Sequence, residues 1–599
     1  MTTDDRRILH DVFGFEDYRE GQEPVVRALL IGRNALAVMP TGSGKSLCFQ
    51  VSALALGGLT IVVSPLVALM QDQVASLRLA GVAAETINSA RDRADNVAAW
   101  RRVAAGETRL LYLSPERLMT DRMLAALAKL PIRLIAIDEA HCISQWGPAF
   151  RPDYEALADL RHHFPGVPIA ALTATADNAT RRDIAAKLFE GDGEIFVAGF
   201  DRPNIKLAVE MRRNGSQQLL AFLQRHRGES GIVYCLSRKK TENISRLLSD
   251  NGIAALPYHA GMDKWDRDRN QDIFMTKPGQ VMVATIAFGM GIDKPDVRFV
   301  FHTDLPGSME AYYQEIGRAG RDGQPAEAHM LYGLDDIRMR RVFIEQEDGG
   351  DDRRRREHQR LDALIGYCEA ATCRRTTLLA YFGDTGEACG NCDTCVDPVE
   401  LLDGSEVGQQ ALTAIVKTGQ RFGAAHIIDV LRGTETEKVI SARHDQLPPF
   451  GVGADRSKDS WRSIIRQLVA AGFLKLDIEG YGGLSVTNKG QTLLEGDGSF
   501  AYREDRAPAK PTRKSRSAAP LPELDDADDA LLAALKNLRL RLAKERGVPA
   551  YVVFSDRSLI DMAQRRPRDA VSFAEVHGVG DAKLRDFGDI FLRAIAEAA

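Results

Sequence analysis

The chain has 599 residues, 44% hydrophobic and 27% charged, with 24 prolines and 51 glycines; at roughly 150 residues per domain this means about four globular domains and excludes a small binding module, a disordered chain and a fibre. Lys plus Arg total 78 against 83 Asp plus Glu, a formal net charge of −5. Any nucleic-acid contact must therefore come from local basic grooves and not from the overall field.

The opening MTTDDRRILHDVFGFEDY lacks the apolar core of a signal peptide, and the stretch VSALALGGLTIVVSPLVALM is broken by two glycines and a proline. No membrane partner and a cytoplasmic location are expected. From about residue 34 to 200, the short apolar runs NALAVM, LTIVVS, RLLYLS, RLIAID, PIAALTA and EIFVAG alternate with helical patterns. A second set, GIVYCLS, IAALPYH, QVMVATI and VRFVFHT, follows in the same way. Strands separated by helices predict parallel sheets covered on both faces, so the fold class is α/β with two tandem lobes, 1–205 and 206–340.

Within the first lobe, Thr41-Gly42-Ser43-Gly44-Lys45-Ser46 joins an apolar strand to an apolar helix start. The glycines let backbone N–H groups curl round a phosphate, the helix N-terminus favours the anion, Lys45 reaches the terminal phosphates and Ser46 suits magnesium. Asp138-Glu139-Ala140-His141 ends the strand RLIAI, at the carboxyl edge where such sites lie. Asp138 is expected to hold magnesium and Glu139 to polarise the attacking water. Hydrolysis also needs positive charge opposite the phosphates, and Arg318 and Arg321, three apart and predicted to share one side of a helix, can bring it from the second lobe. Arg321 is the leading candidate for the arginine finger.

After residue 335 a long charged helical pattern carries Arg353 to Arg356, which a solvated helix face explains as well as a phosphate contact does. Five of the eight cysteines fall within 28 residues. Cys389, Cys392 and Cys395 offer three close thiolates, with Cys373 or Cys368 as the fourth, a set suited to structural zinc, with an iron–sulfur cluster as the alternative. Helical patterns between 405 and 495 end in a helix, Gly480 to Gly483 and LSVT, which reads as a winged helix. Residues 501–529 are rich in Pro, Ala and charge and read as a linker, and a helical domain of about 70 residues closes the chain.

Taken together, these motifs and their order resemble the superfamily 2 DNA helicases and, more narrowly, the RecQ family, over nearly the whole chain. The resemblance implies a RecA-like ATP-binding lobe at 1–205, a second RecA-like lobe at 206–340, a helical zinc-binding subdomain at 341–402, a winged-helix domain at 403–500, a linker at 501–524 and an all-helical HRDC domain at 525–599. Phe13-Gly14-Phe15 and Tyr18-Arg19-Glu20-Gly21-Gln22 match the family's nucleotide-base motif, with Gln22 on adenine and Tyr18 or Arg19 beside it. Ser64 to Leu66, Gln71 to Gln73 and Ser114 to Leu118 match segments lining or supporting the DNA path, and Thr173 to Ala176 the motif coupling hydrolysis to lobe movement. Cys142 to Pro152 resembles the aromatic-rich loop, in which Trp146 and Phe150 would stack on bases and Arg151 would meet phosphate or relay to the ATP site. Gly231 to Arg238, His259 to Met262 and Ala284 to Asp293 match the remaining motifs, with Asp293 near the nucleotide or the arginine pair.

The resemblance also favours Cys373 over Cys368 as the fourth zinc ligand. It implies phosphate contacts from Arg456, Lys458, Arg462 and Arg466 in the winged helix and from Lys583 in the HRDC domain. The expected cofactors are ATP, Mg2+ and Zn2+. The expected activity is ATP-dependent 3'-to-5' unwinding of DNA in recombination, repair and stalled-fork processing. Partners are then single-stranded, duplex and forked or branched DNA and a single-stranded-DNA-binding protein, for a nucleoid-associated monomer. The alternatives are an RNA helicase with the same motor, or a noncatalytic junction-binding scaffold.

Overall fold

The computed structural model describes residues 4–89, 91–144, 151–176, 178–289, 294–346, 350–476, 483–504, 526–546, 548 and 550–597. Its first lobe is a seven-stranded, wholly parallel sheet of β1 (Ala35–Val38), β2 (Leu59–Val63), β3 (Ala84–Ile87), β4 (Leu110–Leu113), β5 (Ile132–Ile137), β6 (Ile169–Thr173) and β7 (Glu194–Val197), in the order β3-β4-β2-β5-β6-β1-β7. The inner strands are apolar at almost every position because both faces are covered. Side chains alternate between the faces, so Leu36 and Val38 join one core while Ala35, Ala37 and Met39 join the other.

The second lobe is a six-stranded parallel sheet of β8 (Ile205–Met211), β9 (Ser230–Tyr234), β10 (Ala255–Tyr258), β11 (Val281–Ala284), β12 (Val297–His302) and β13 (Ala326–Tyr332), in the order β10-β11-β9-β12-β13-β8. β3, β8 and β13 are additions to the strands expected from the apolar runs. β8 and β13 carry Lys206, Glu210, Glu327 and His329, and these charges pair across the strands: His329 meets Glu210 at 3.2 Å and Lys206 meets Glu327 at 4.0 Å.

Beyond the lobes, helices Leu334–Gln346 and Asp351–Glu369 lead to the cysteine cluster. Arg354 pairs with Asp351 at 2.5 Å on the exposed start of the second helix. A helical domain with the antiparallel pair β15 (Leu474–Leu476) and β16 (Leu484–Val486) follows, in keeping with a winged helix; the expected wing at Gly480 to Gly482 lies outside the described residues. Residues expected to begin the linker instead form strand β17 (Ala501–Arg503), which pairs antiparallel with β14 (Leu401–Asp403) and ties the two ends of this domain together. Tyr502 and Phe500 are buried there, and that apolar pair gives the segment a reason to fold. The C-terminal helices from Asp526 to Glu597 enclose their own core. No helix among the described residues is long and apolar enough to cross a membrane.

Candidate active site

The loop after β1 turns into helix Lys45–Leu56 through two left-handed glycines, Gly42 at φ 84° and Gly44 at φ 81°, a conformation that costs glycine little. Lys45 Nζ donates to the carbonyls of Met39 (3.1 Å) and Pro40 (3.2 Å), so it is held at the base of the phosphate loop. Gln22, almost wholly buried, donates through Nε2 to Ser43 O (2.8 Å) and Gly44 O (3.1 Å) and accepts from the Arg19 amide, while Arg19 donates to Gly42 O at 2.7 Å. A Cβ on Gly44 would lie 2.6 Å from Gln22 Nε2, so the glycine is needed there for the approach as well as for φ. The segment expected to face adenine is thereby fastened to the phosphate loop. The Tyr18 hydroxyl is turned away to Asp5 at 3.1 Å.

Asp138 and Glu139 leave the carboxyl end of β5, and Glu139 adopts a left-handed φ of 51°, a strain that non-glycine residues carry mainly at functional sites. Burial raises both carboxyl groups above their ordinary values, their mutual repulsion adds to it at Asp138, and Lys45 opposes it at each. Burial likewise lowers Lys45, with Glu139 and Asp138 opposing. Glu139 Oε2 is buried and accepts no hydrogen bond from the described residues. Asp138 Oδ1 accepts from the neighbouring Glu139 amide at 3.0 Å, and the Asp138 carboxylate and the Ser46 hydroxyl are hard oxygen donors of the kind magnesium takes.

From His141, two residues beyond Glu139, a hydrogen-bonded path runs to the second lobe. His141 Nδ1 meets Thr173 Oγ1 at 2.8 Å, Thr173 Oγ1 donates to Thr175 O at 3.1 Å, and Thr175 Oγ1 accepts from Gln314 Nε2 at 2.9 Å. Burial lowers His141 to about 4, so the imidazole is neutral at physiological pH.

The arginine pair does not share a helical side. Helix Met309–Ile316 ends before it, and Arg318 and Arg321 stand on the following turn, where Gly320 takes a φ of 57°. This turn sits on the phosphate loop. A Cβ on Gly42 would lie 3.5 Å from Arg321 Cγ, and one on Gly317 would lie 3.3 Å from Thr41 Cβ. Arg318 acts electrostatically on Glu139. The contact is pinned by Arg202, which sequence reasoning missed: it donates to Thr41 O (3.0 Å), Gly317 O (3.3 Å), Ala319 O (2.8 Å) and Gly320 O (3.0 Å). No local pattern singles out Arg202, because all four of these partners lie more than 100 residues away.

Five family models match consecutive parts of the chain. They are DEAD/DEAH box helicase (19–184), helicase conserved C-terminal domain (214–323), RecQ zinc-binding (334–396), RQC domain (398–511) and HRDC domain (528–595). The chain is 42% identical to the ATP-dependent DNA helicase RecQ of Haemophilus influenzae, over 98% of this chain and 95% of that one. It is 36% identical to the ATP-dependent DNA helicase RecQ of Bacillus subtilis, over 98% of both. The chain belongs to the RecQ helicase family. Its order of lobes, zinc subdomain, winged helix and HRDC domain is the one expected from the motifs.

In the RecQ zinc-binding segment the sulfurs of Cys373, Cys389, Cys392 and Cys395 gather within 4.8 Å of one another. Cys373 Sγ lies 3.5 Å from Cys389 Sγ and 3.9 Å from Cys392 Sγ. Four thiolates at about 2.3 Å round a tetrahedral zinc stand about 3.8 Å apart, so the cage fits the ion, and all eight cysteines are free of disulfides. Cys368 is outside the cage, buried on helix Asp351–Glu369. The cage is fixed to β8 of the second lobe by Asp393, which accepts from the Val209 amide at 3.1 Å and pairs with the buried Arg374 at 2.9 Å, and by Arg375, which donates to Ile205 O at 2.7 Å.

Of the expected DNA contacts, Trp146 and Phe150 lie outside the described residues, and so does Asp293, expected near the nucleotide or the arginine pair. Arg151 donates to Pro65 O at 3.2 Å, which joins the end of the Cys142–Pro152 segment to the Ser64–Leu66 segment expected to line or support the DNA path. In the winged helix, Lys458 and Arg462 stay at the surface, paired with Asp429 (3.5 Å) and Asp459 (2.9 Å), and Arg456 meets the Tyr502 hydroxyl at 3.2 Å. Arg466 is buried and cannot reach a phosphate. It pairs with Glu369 at 2.5 Å and stacks over Tyr332, joining the winged helix to the second lobe. Lys583 lies over the Phe554 ring, 5.4 Å from its centroid, and burial lowers its ammonium to about 8.

Proposed function

We propose that this RecQ-family chain, an ATP-dependent DNA helicase, translocates 3' to 5' on one DNA strand by closing its two lobes on ATP and reopening them after hydrolysis. The observation that carries this reading is the arginine turn of the second lobe seated on the phosphate loop of the first, with Arg321 packed on Gly42. Charge brought across a cleft only on closure is what couples phosphoryl transfer to movement. In this reading Thr41 to Ser46 hold the phosphates, Gln22 reads the adenine edge with Arg19 and Tyr18 behind it, and Asp293 lies near the phosphates. Glu139 orients the attacking water, while Arg321 and Arg318 stabilise the charge that develops. Ser46 and Asp138 would hold magnesium, which neutralises phosphate charge. Zinc in the four-cysteine cage is structural, since four sulfurs leave no open position.

Trp146, Phe150 and Arg151 contact the strand, the winged helix engages the duplex, and the protein works as a monomer at forked or branched DNA alongside a single-stranded-DNA-binding protein. We assign it to the cytoplasm, on the nucleoid, with roles in recombination, repair and stalled-fork processing. The test is ATP-dependent strand separation on matched DNA duplexes with a 3' or a 5' single-stranded tail, beside a 3'-tailed RNA duplex. Unwinding confined to the 3'-tailed DNA is expected. Activity on the RNA duplex alone would replace this reading with an RNA helicase, and unwinding from the 5' tail would overturn the polarity.

A further inference from the structure

One glycine of the HRDC domain is explained only by the first lobe, and a left-handed glycine of the first lobe, Gly14 at φ 70°, is crowded by the HRDC domain in return. Gly580 has no left-handed φ to account for it, yet a Cβ placed there would come within 2.4 Å of Val12 O and 2.8 Å of Asp11 O, both backbone atoms of the first lobe. From the other side, a Cβ on Gly14 would meet Val579 N at 2.4 Å and Gly578 C at 2.6 Å. Between them the Gly578 amide donates to Gly14 O at 2.7 Å, and the Phe15 ring lies 5.2 Å from the His577 imidazole. The same face continues where a Cβ on Gly81 would touch Ala582 Cβ at 3.1 Å and Leu79 packs against the HRDC core. Backbone meeting backbone this closely defines a fitted interface.

What the interface grips gives it a consequence. Residues 11–15 run directly into Tyr18, Arg19 and Gln22, and Arg19 and Gln22 bond the carbonyls of Gly42, Ser43 and Gly44. One short segment is therefore held at one end by the HRDC turn at 577–580 and at the other by the phosphate loop. Ordering either end lowers the entropic cost of ordering the other.

We propose that the docked HRDC domain is an intramolecular ligand of the first lobe that tightens ATP binding by holding this segment in place. By linkage, ATP strengthens docking by the same factor. The inference rests on the reading that Gln22 and its neighbours face the nucleotide.

The test uses the full chain with donor and acceptor dyes on the first lobe and the HRDC domain, and two variants that attack the interface through different elements, Gly580→Ala and Ala582→Glu. Both are expected to lower energy transfer and to raise the KM for ATP about fivefold, the low end of ordinary coupling between sites. The kcat at saturating single-stranded DNA should stay within about twofold. In the unaltered chain a non-hydrolysable ATP analogue with magnesium should raise the transfer. Variants that lose the transfer with KM unchanged, or that keep it, would overturn the proposal. Gln22→Ala separates the two readings. If it raises KM while the interface variants do not, the coupling fails and the adenine reading stands; if the interface variants raise KM and Gln22→Ala does not, the coupling stands and the adenine reading fails.

Discussion

Replacing Arg202 with Ala should slow ATP turnover without unfolding the protein. Arg202 stands just before β8, between the two sheets; three of its hydrogen bonds go to Gly317, Ala319 and Gly320 of the arginine turn, and the fourth, to Thr41 O at 3.0 Å, reaches the phosphate loop. A hydrogen bond from a charged group is worth about 1.5–3 kcal/mol. Losing the one to Thr41 O should therefore disfavour closure by roughly that amount, about tenfold to a hundredfold in rate. The three bonds lost to the turn also free Arg318 and Arg321 to move off the phosphates, which adds to the loss of kcat. Since no bond to nucleotide is removed, KM for ATP should change much less than kcat. The assay is DNA-stimulated ATP hydrolysis, with thermal melting as a check on folding and Arg202→Lys as a variant that keeps the charge but not the planar fan of donors. A kcat within twofold of the unaltered protein, at an unchanged melting temperature, would refute the claim that Arg202 fixes the arginine turn on the phosphate loop.

Cys373→Ser should lower bound zinc, read by elemental analysis, and folded yield, whereas Cys368→Ser should keep a full equivalent of the metal; the opposite order would move the fourth ligand to Cys368. Docking of the HRDC domain should weaken as pH falls from about 6.5 towards 4. Burial lowers His577 to about 4 from an ordinary 6.5, with Arg557 and Arg19 adding to the shift and Asp561 opposing it, beside the uncharged Phe15 ring. A group depressed in the docked state favours that state above its free pKa and opposes it as pH drops through the interval. Energy transfer between the first lobe and the HRDC domain should therefore decline below pH 6.5, and His577→Gln should flatten the curve; an unchanged slope would assign the effect to other groups.

The parts of this molecule that sequence reveals are those whose chemistry is local. Thr41 to Ser46 and Asp138 to His141 are contiguous, and each sits after a strand whose burial on both faces makes it an apolar run. The cysteine cage is nearly as local, since its ligands fall within 23 residues from Cys373 to Cys395. β8 and β13 are hidden because their Lys, Glu and His residues break the apolar run and find partners only in the fold, Glu210 with His329 and Gln218, and Glu327 with Lys206 and His226. Arg466 looked like a surface cation because nothing near it in sequence discloses Glu369 and Tyr332. Gly580 looks like any turn glycine until Val12 is set against it, 568 positions away.

The two interlobe connections converge on one stretch of chain. The path from His141 through Thr173 and Thr175 ends at Gln314, and Arg202 fastens Thr41 to Gly317, Ala319 and Gly320. The carboxylate end of the site and the phosphate-loop end thus both bias the same helix end and turn, Gln314 to Arg321. Packed interfaces of this kind tend to switch between discrete arrangements rather than deform continuously. Loss of the terminal phosphate would remove the anion that offsets the crowding of Lys45, Arg318 and Arg321, weakening the seat from one end. Motion of the Asp138–Glu139 strand end would pull on it through His141 from the other. In the proposed cycle both changes would act on the same seated turn, so phosphate loss and motion of the carboxylate end would favour reopening of the lobes together.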